Sequence, residues 1–174
     1  MRGRDGILHF KDYPEFTPNL TPEEIFREGA FGGRYWRRIH STVTGKDYEN
    51  EHKKYKWTVP DSLMTRETED LGLNKYGVHS GTSLEYWESK GWIKAQDPYG
   101  WVQWYSEFYT GRRTEDDSRQ INRWLAFAGN NGRFYKRLIK MLVEVSDGDD
   151  ATISPVIHQG LHQWARKITK ADFK

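Results

Sequence analysis

The sequence has no cysteine, which excludes disulfides, thiol nucleophiles and cysteine-ligated zinc or iron–sulfur centres. It has no apolar run long enough to span a bilayer, so no membrane partner is expected. The opening MRGRDGILHF carries basic residues but no apolar stretch behind them, unlike a signal peptide. These absences predict a soluble, intracellular protein, cytoplasmic or nuclear. Net charge is also scarce, only +2 over 174 residues. Aliphatic side chains are few, for the hydrophobic fraction is 36%, yet aromatics reach 15%, so rings must supply much of any core. The length suits one domain that buries its core without metal or disulfide.

The charge present is unevenly spread. Residues 112–140 hold eight Lys or Arg against three acids, and residues 34–56 hold seven against three. Two basic segments in a nearly neutral chain predict a one-sided basic surface.

Helix signals concentrate in the second half. Thr82 with Glu85 fits a capping box before LEYWESKGW, and Asp97-Pro98 places a capping side chain before a proline. Thr114 with Asp117 opens EDDSRQINRWLAFA, and Ser154-Pro155 opens VIHQGLHQWARKI. Earlier, Thr21-Pro22-Glu23-Glu24 starts a short helix to about Glu28. Gly91, Gly111, the Gly129–Gly132 turn and Asp147–Asp150 supply the stops. Trp101, Trp104, Tyr105 and Phe108 fall at i, i+3, i+4, i+7, as do Ile121, Trp124, Leu125 and Ala128. The expected fold is mainly α: a single-domain helical bundle over 82–170, with an irregular N-terminal part, 1–80, packed against it. In that part HFKDYPEFTPNL reads as extended and YKWTV as the one strand-like run.

The ring-dense block 86–109 divides by periodicity. The Trp101, Trp104, Tyr105 and Phe108 stripe reads as core. Tyr99 and Tyr109 fall off the stripe and Trp92 follows a helix-ending glycine, so these three are the candidates for stacking on a ligand. Arg112 and Arg113 follow directly, and Arg119, Arg123, Arg133 and Arg137 lie on the next two helices. Rings beside arginines are how single-stranded nucleic acid or a flipped base is held, by stacking plus backbone charge. Arg112 and Arg113 also have a structural reading, as helix-end cations or partners for Glu115, Asp116 and Asp117, and the arginines of the next two helices as a solvated basic face.

Other constellations are weaker. GAFGGRYWRRIH, residues 29–40, joins a glycine-rich turn to Arg34, Arg37 and Arg38, chemistry suited to phosphate, without the phosphate-loop or dinucleotide spacing. His158 and His162 stand at i, i+4, a spacing that lets both reach one metal, with Asp149, Asp150 or His79 as a conceivable third ligand. No Glu occupies the position a zinc protease needs. No cofactor is expected beyond that metal. Acid pairs at Asp116/Asp117, Glu23/Glu24 and Glu85/Glu88 sit in first turns, where the helix dipole accounts for them. Glu107 stands among rings, where a raised pKa would suit an acid or base.

The blocks GTSLEYWESKGWI, DPYGWVQWY, GRRTEDDSRQINRW and SPVIHQGLHQW resemble a family of uncharacterised microbial and fungal proteins. The resemblance runs from about Tyr13 to about Trp164 and carries no activity or site residues with it. The expected function is therefore read from the residues alone. First comes nucleic-acid binding by rings and arginines. Second comes a small-molecule enzyme with an aromatic and arginine pocket for an anionic or nucleotide-like substrate, with Glu107, His79 or the His158/His162 pair supplying proton transfer or metal. Third comes a scaffold whose aromatic surface meets a protein partner.

Overall fold

A computed structural model describes all 174 residues. The chain is helix-rich, with a small two-stranded sheet and long stretches without regular structure. In order, the elements are α1 (Pro22–Glu28), β1 (Ile39–His40), β2 (Asp47–Tyr48), α2 (Leu84–Ser89), α3 (Trp101–Tyr109), α4 (Asp117–Ala128), α5 (Arg133–Val145) and α6 (Pro155–Gln163). Short 3-10 turns fill much of 51–73 and close the C-terminus. No helix is long and apolar enough to cross a membrane.

The helix starts follow local chemistry, with revisions. Thr21 and Glu24 form the expected capping box on α1. At α2 the cap is Ser83, whose hydroxyl accepts the Tyr86 N–H; Thr82 instead accepts the Trp87 indole N–H at 2.8 Å. The helix expected from Pro98 begins at Trp101. Gly100 sits at φ 99°, which only glycine adopts readily, so residues 97–100 form a turn and not a first helical turn. Asp97 is then free to turn inward. Its carboxylate takes Arg112 at 2.6 Å and Gln96 at 2.9 Å, while Gln103 accepts the Tyr99 N–H. Before α4, Asp117 accepts the Thr114 N–H at 2.9 Å. Ser154 precedes α6 at φ 47° and makes no capping bond, leaving Pro155 to set the first turn.

Burial explains the ring count. A cluster of 27 buried apolar side chains runs from Phe16 to Ile168. Trp101, Trp104, Tyr105 and Phe108 are all inside, as their spacing predicts. They close on Phe16, which lies between 5.1 and 6.4 Å from five rings of α3 and α4. The proline-broken N-terminal segment thus plugs the core and does not merely drape over it. Several buried polar ring atoms find partners that offset desolvation, although the Trp36 indole N–H and the Tyr55 hydroxyl do not. Trp104 donates to Asp117, Trp124 to the Trp164 carbonyl and Tyr105 to the Leu20 carbonyl. α4 packs on α5, α5 on α6, and α3 on both α1 and α4. Residues 55–59 are not a strand; the one hairpin pairs Ile39 with Tyr48 and His40 with Asp47 around Gly45.

Candidate functional site

Between α2, the start of α3, α4 and α6 lies a cleft of about 810 Å³. That falls within the roughly 300–1,000 Å³ usual for small-molecule sites. Its lining is dominated by rings: Tyr86, Trp87, Trp92, Trp101, Phe127 and Trp164. Glycine shapes one wall. A Cβ on Gly160 of α6 would meet the Ser80 hydroxyl at 3.0 Å and the Phe127 ring at 3.6 Å.

Two cations, Arg123 and Arg133, stand in this wall, and Arg133 lies on the exposed start of α5. Arg123 projects from α4, with its guanidinium carbon 5.6 Å from the Trp92 ring centre and 5.4 Å from that of Trp164. Its Nη1 donates to Gln120 Oε1 at 2.8 Å, and no carboxylate pairs with it. Burial, with repulsion from Arg119 added, brings its pKa down to about 10. Rings hold the guanidinium in place by their π faces, a weaker hold than an ion pair.

A second, smaller recess of about 140 Å³ adjoins the cleft. Phe31, Tyr35, Ser80, Thr82 and Trp87 line both. Arg34 and Arg37 lie in the recess, and neither pairs with a carboxylate. The glycine turn before them is pinned by side chains from afar: Asn74 accepts the Gly32 N–H at 2.7 Å and Gln163 the Phe31 N–H at 3.1 Å. Gly32 and Gly33 take φ 62° and 78°. Burial lowers the Arg37 pKa, and the Arg34 charge lowers it further. On the rim, His79 Nδ1 meets Glu69 at 2.6 Å and Nε2 meets the Gly81 carbonyl at 2.8 Å. A neutral imidazole has one N–H, so two acceptors favour the doubly protonated ring, and the Glu69 bond raises its pKa.

The residues expected at a stacking surface separate here. Trp92, Arg123 and Arg133 reach the cleft. Tyr99 does not form an open stacking face. It is 2% exposed, and its hydroxyl donates to the Arg37 carbonyl at 2.7 Å. Tyr109 is 43% exposed and packs edge-on against Tyr105, away from the cleft lining. Arg112 is held by buried Asp97. Arg113 pairs with Asp12 at 2.7 Å and lies 3.7 Å over the Phe108 ring. Arg119 grips Asp116 with two bonds, of 2.6 and 2.9 Å. All three arginines are ion-paired within the fold. Arg137 is exposed on α5 and makes no ion pair.

The remaining candidates are also placed. Glu107 forms an ion pair with Lys54 and sits outside the cleft. His158 and His162 turn apart. His158 Nε2 meets Asp149 at 2.7 Å, whereas His162 Nε2 donates to the Ile25 carbonyl at 3.0 Å. Burial drives the His162 pKa down to about 4, so the ring is neutral. No group of three or more His, Asp or Glu side chains is gathered to hold a metal.

No family model, curated protein or solved structure matches the chain. The cleft's chemistry therefore rests on its own geometry. Sequence reasoning missed Trp164, Phe127 and Gln163, which their spacing marks only as helix faces. It did single out Arg34 and Arg37, through the glycines before them.

Proposed function

We propose that this chain binds a small molecule with a flat apolar or aromatic body and a negatively charged group, seated in the ring-lined cleft. The observation that carries this reading is Arg123. A cation withdrawn from water, unpaired and set between two indoles returns almost no net stability to the free protein. Such a group is accounted for by a ligand that supplies the missing anion. A thermal-shift series with aromatic carboxylates, nucleosides and nucleotides tests it. A ligand at about 100 times its Kd adds about 2.7 kcal/mol, a readily measured rise. At least one charged aromatic class should raise the melting temperature of the wild type and act less on Arg123→Met. No response from any class, or an equal response from Arg123→Met, overturns the reading.

Nucleic-acid binding stands second, and one observation favours it: Arg133, Lys136, Arg137 and Lys140 crowd α5 without ion pairs. Four phosphate contacts would give a log–log salt slope of about −3 to −4. Filter binding at graded salt checks this. A flat salt response, or no binding at low salt, removes it.

A further inference from the structure

Resting on that reading, we infer that the ligand carries a phosphate monoester besides the group that meets Arg123: Arg34 and Arg37 hold the phosphate in the recess while the flat body lies among the rings of the cleft. The two compartments adjoin along Phe31, Tyr35 and Trp87, which puts the recess within reach of a molecule seated in the cleft. The recess, at about 140 Å³, suits a headgroup and leaves the body to the larger space.

The donor set favours phosphate over carboxylate. Arg34 and Arg37 lie three residues apart with no acid bonded to either. Arg34 Nε is buried without a partner, and the one bond from the Arg37 guanidinium goes to the Arg34 carbonyl, at 3.2 Å. The Arg34 charge acts against that of Arg37, and only the charge of Glu85, without a hydrogen bond or ion pair, acts the other way. Their backbone is nevertheless fixed, by the pinned glycine turn and by the Tyr99 hydroxyl on the Arg37 carbonyl. The Ser83 and Thr82 hydroxyls, also in the recess lining, each accept a bond, from Tyr86 N and Trp87 Nε1. Their own protons are undonated within the fold. Donors thus come from two separate chain segments, a number that a flat two-oxygen carboxylate satisfies poorly and three tetrahedral phosphate oxygens satisfy well. The acids on the wall are Glu69, already bonded to His79, and Glu85. Positive charge remains in excess at the arginines.

Calorimetric titration of the full chain tests this, using the four common nucleoside 5′-monophosphates, their matched nucleosides and inorganic phosphate. At least one monophosphate should bind about tenfold or more tighter than its nucleoside, as charge-assisted contacts allow. Inorganic phosphate should compete with it. Arg34→Met and Arg37→Met should each erase that preference while leaving nucleoside affinity within about threefold, which also reports that the variants fold. Equal binding of nucleoside and monophosphate, or a preference that survives both substitutions, overturns the inference and leaves the cleft reading intact. A preference lost only in Arg123→Met places the phosphate elsewhere and also overturns it. If neither nucleosides nor monophosphates bind, the inference falls, and the cleft reading is then decided by the aromatic carboxylates.

Discussion

Replacing Arg123 by Met should leave the unliganded protein almost as stable as before, which is not how a structural arginine behaves. Lowering the Arg123 pKa from 12.5 to about 10 corresponds to about 3 kcal/mol against the buried charge, or about 2 kcal/mol after discounting the part still in water. Against this, two ring contacts return about 1–2 kcal/mol. The bond to Gln120 returns about 1 kcal/mol more. The terms nearly cancel, and Met keeps the apolar stem. Arg166 is the control. It is 7% exposed, donates to the Ala128 carbonyl and to Asp172, and lies 3.8 Å over the Tyr135 ring. Removing it takes the one cation from Asp172, whose side chain is only 9% exposed, at a cost of about 3–5 kcal/mol. At about 2–4 °C per kcal/mol for this chain length, Arg166→Met should melt about 6–20 °C lower, while Arg123→Met should stay within about 4 °C of wild type. Scanning calorimetry of the ligand-free proteins decides between them. If Arg123→Met falls as far as Arg166→Met, Arg123 is a strut of the fold and the reasoning for a binding anchor fails.

Other parts of the structure give sharper stability tests. Gly29 ends α1 at φ 108°, and a Cβ there would land on the Leu73 carbonyl oxygen, so Gly29→Ala should cost about 2–5 kcal/mol in urea unfolding; a loss under about 1 kcal/mol refutes the close approach. His162 is neutral in the folded protein down to about pH 4, whereas the unfolded chain takes up its proton near 6.5. Stability should therefore fall by about 3 kcal/mol as pH drops through that window and level off below it, and His162→Gln should flatten the 5–6.5 segment of the curve. Asp97 and Arg112 act as a pair, so Asp97→Ala and Arg112→Ala should each destabilise, with the double variant little worse than the worse single; additive losses would show them to be independent.

The helices were legible because they depend on local chemistry. The Thr21 box, the Gly129–Gly132 turn and the α3 ring stripe each act within a few residues of chain. What escaped depends on distant partners. Asp97-Pro98 looks like a helix start until Arg112 draws the carboxylate inward and Gly100 delays the first turn. Tyr99 falls off the helical stripe because it precedes the helix, and Tyr35 and Tyr48 enclose it from a segment over 50 residues away. Arginines divide for the same reason. Arg112, Arg113 and Arg119 look like Arg123 in sequence, and only the position of Asp97, Asp12 and Asp116 tells a paired cation from an unpaired one. The cleft itself is a void between α2, α4 and α6, and a void has no sequence signature.

The eight tryptophans offer the most direct test of the central claim. Trp87, Trp92, Trp101 and Trp164 line the cleft, whereas Trp36, Trp57, Trp104 and Trp124 do not. Two-dimensional NMR resolves their indole N–H signals, which can be followed as a nucleoside monophosphate is added. The first four signals should move together in one saturable step while the second four hold still. Shifts confined to the second four, or no shifts at millimolar ligand, would contradict a binding site in this cleft.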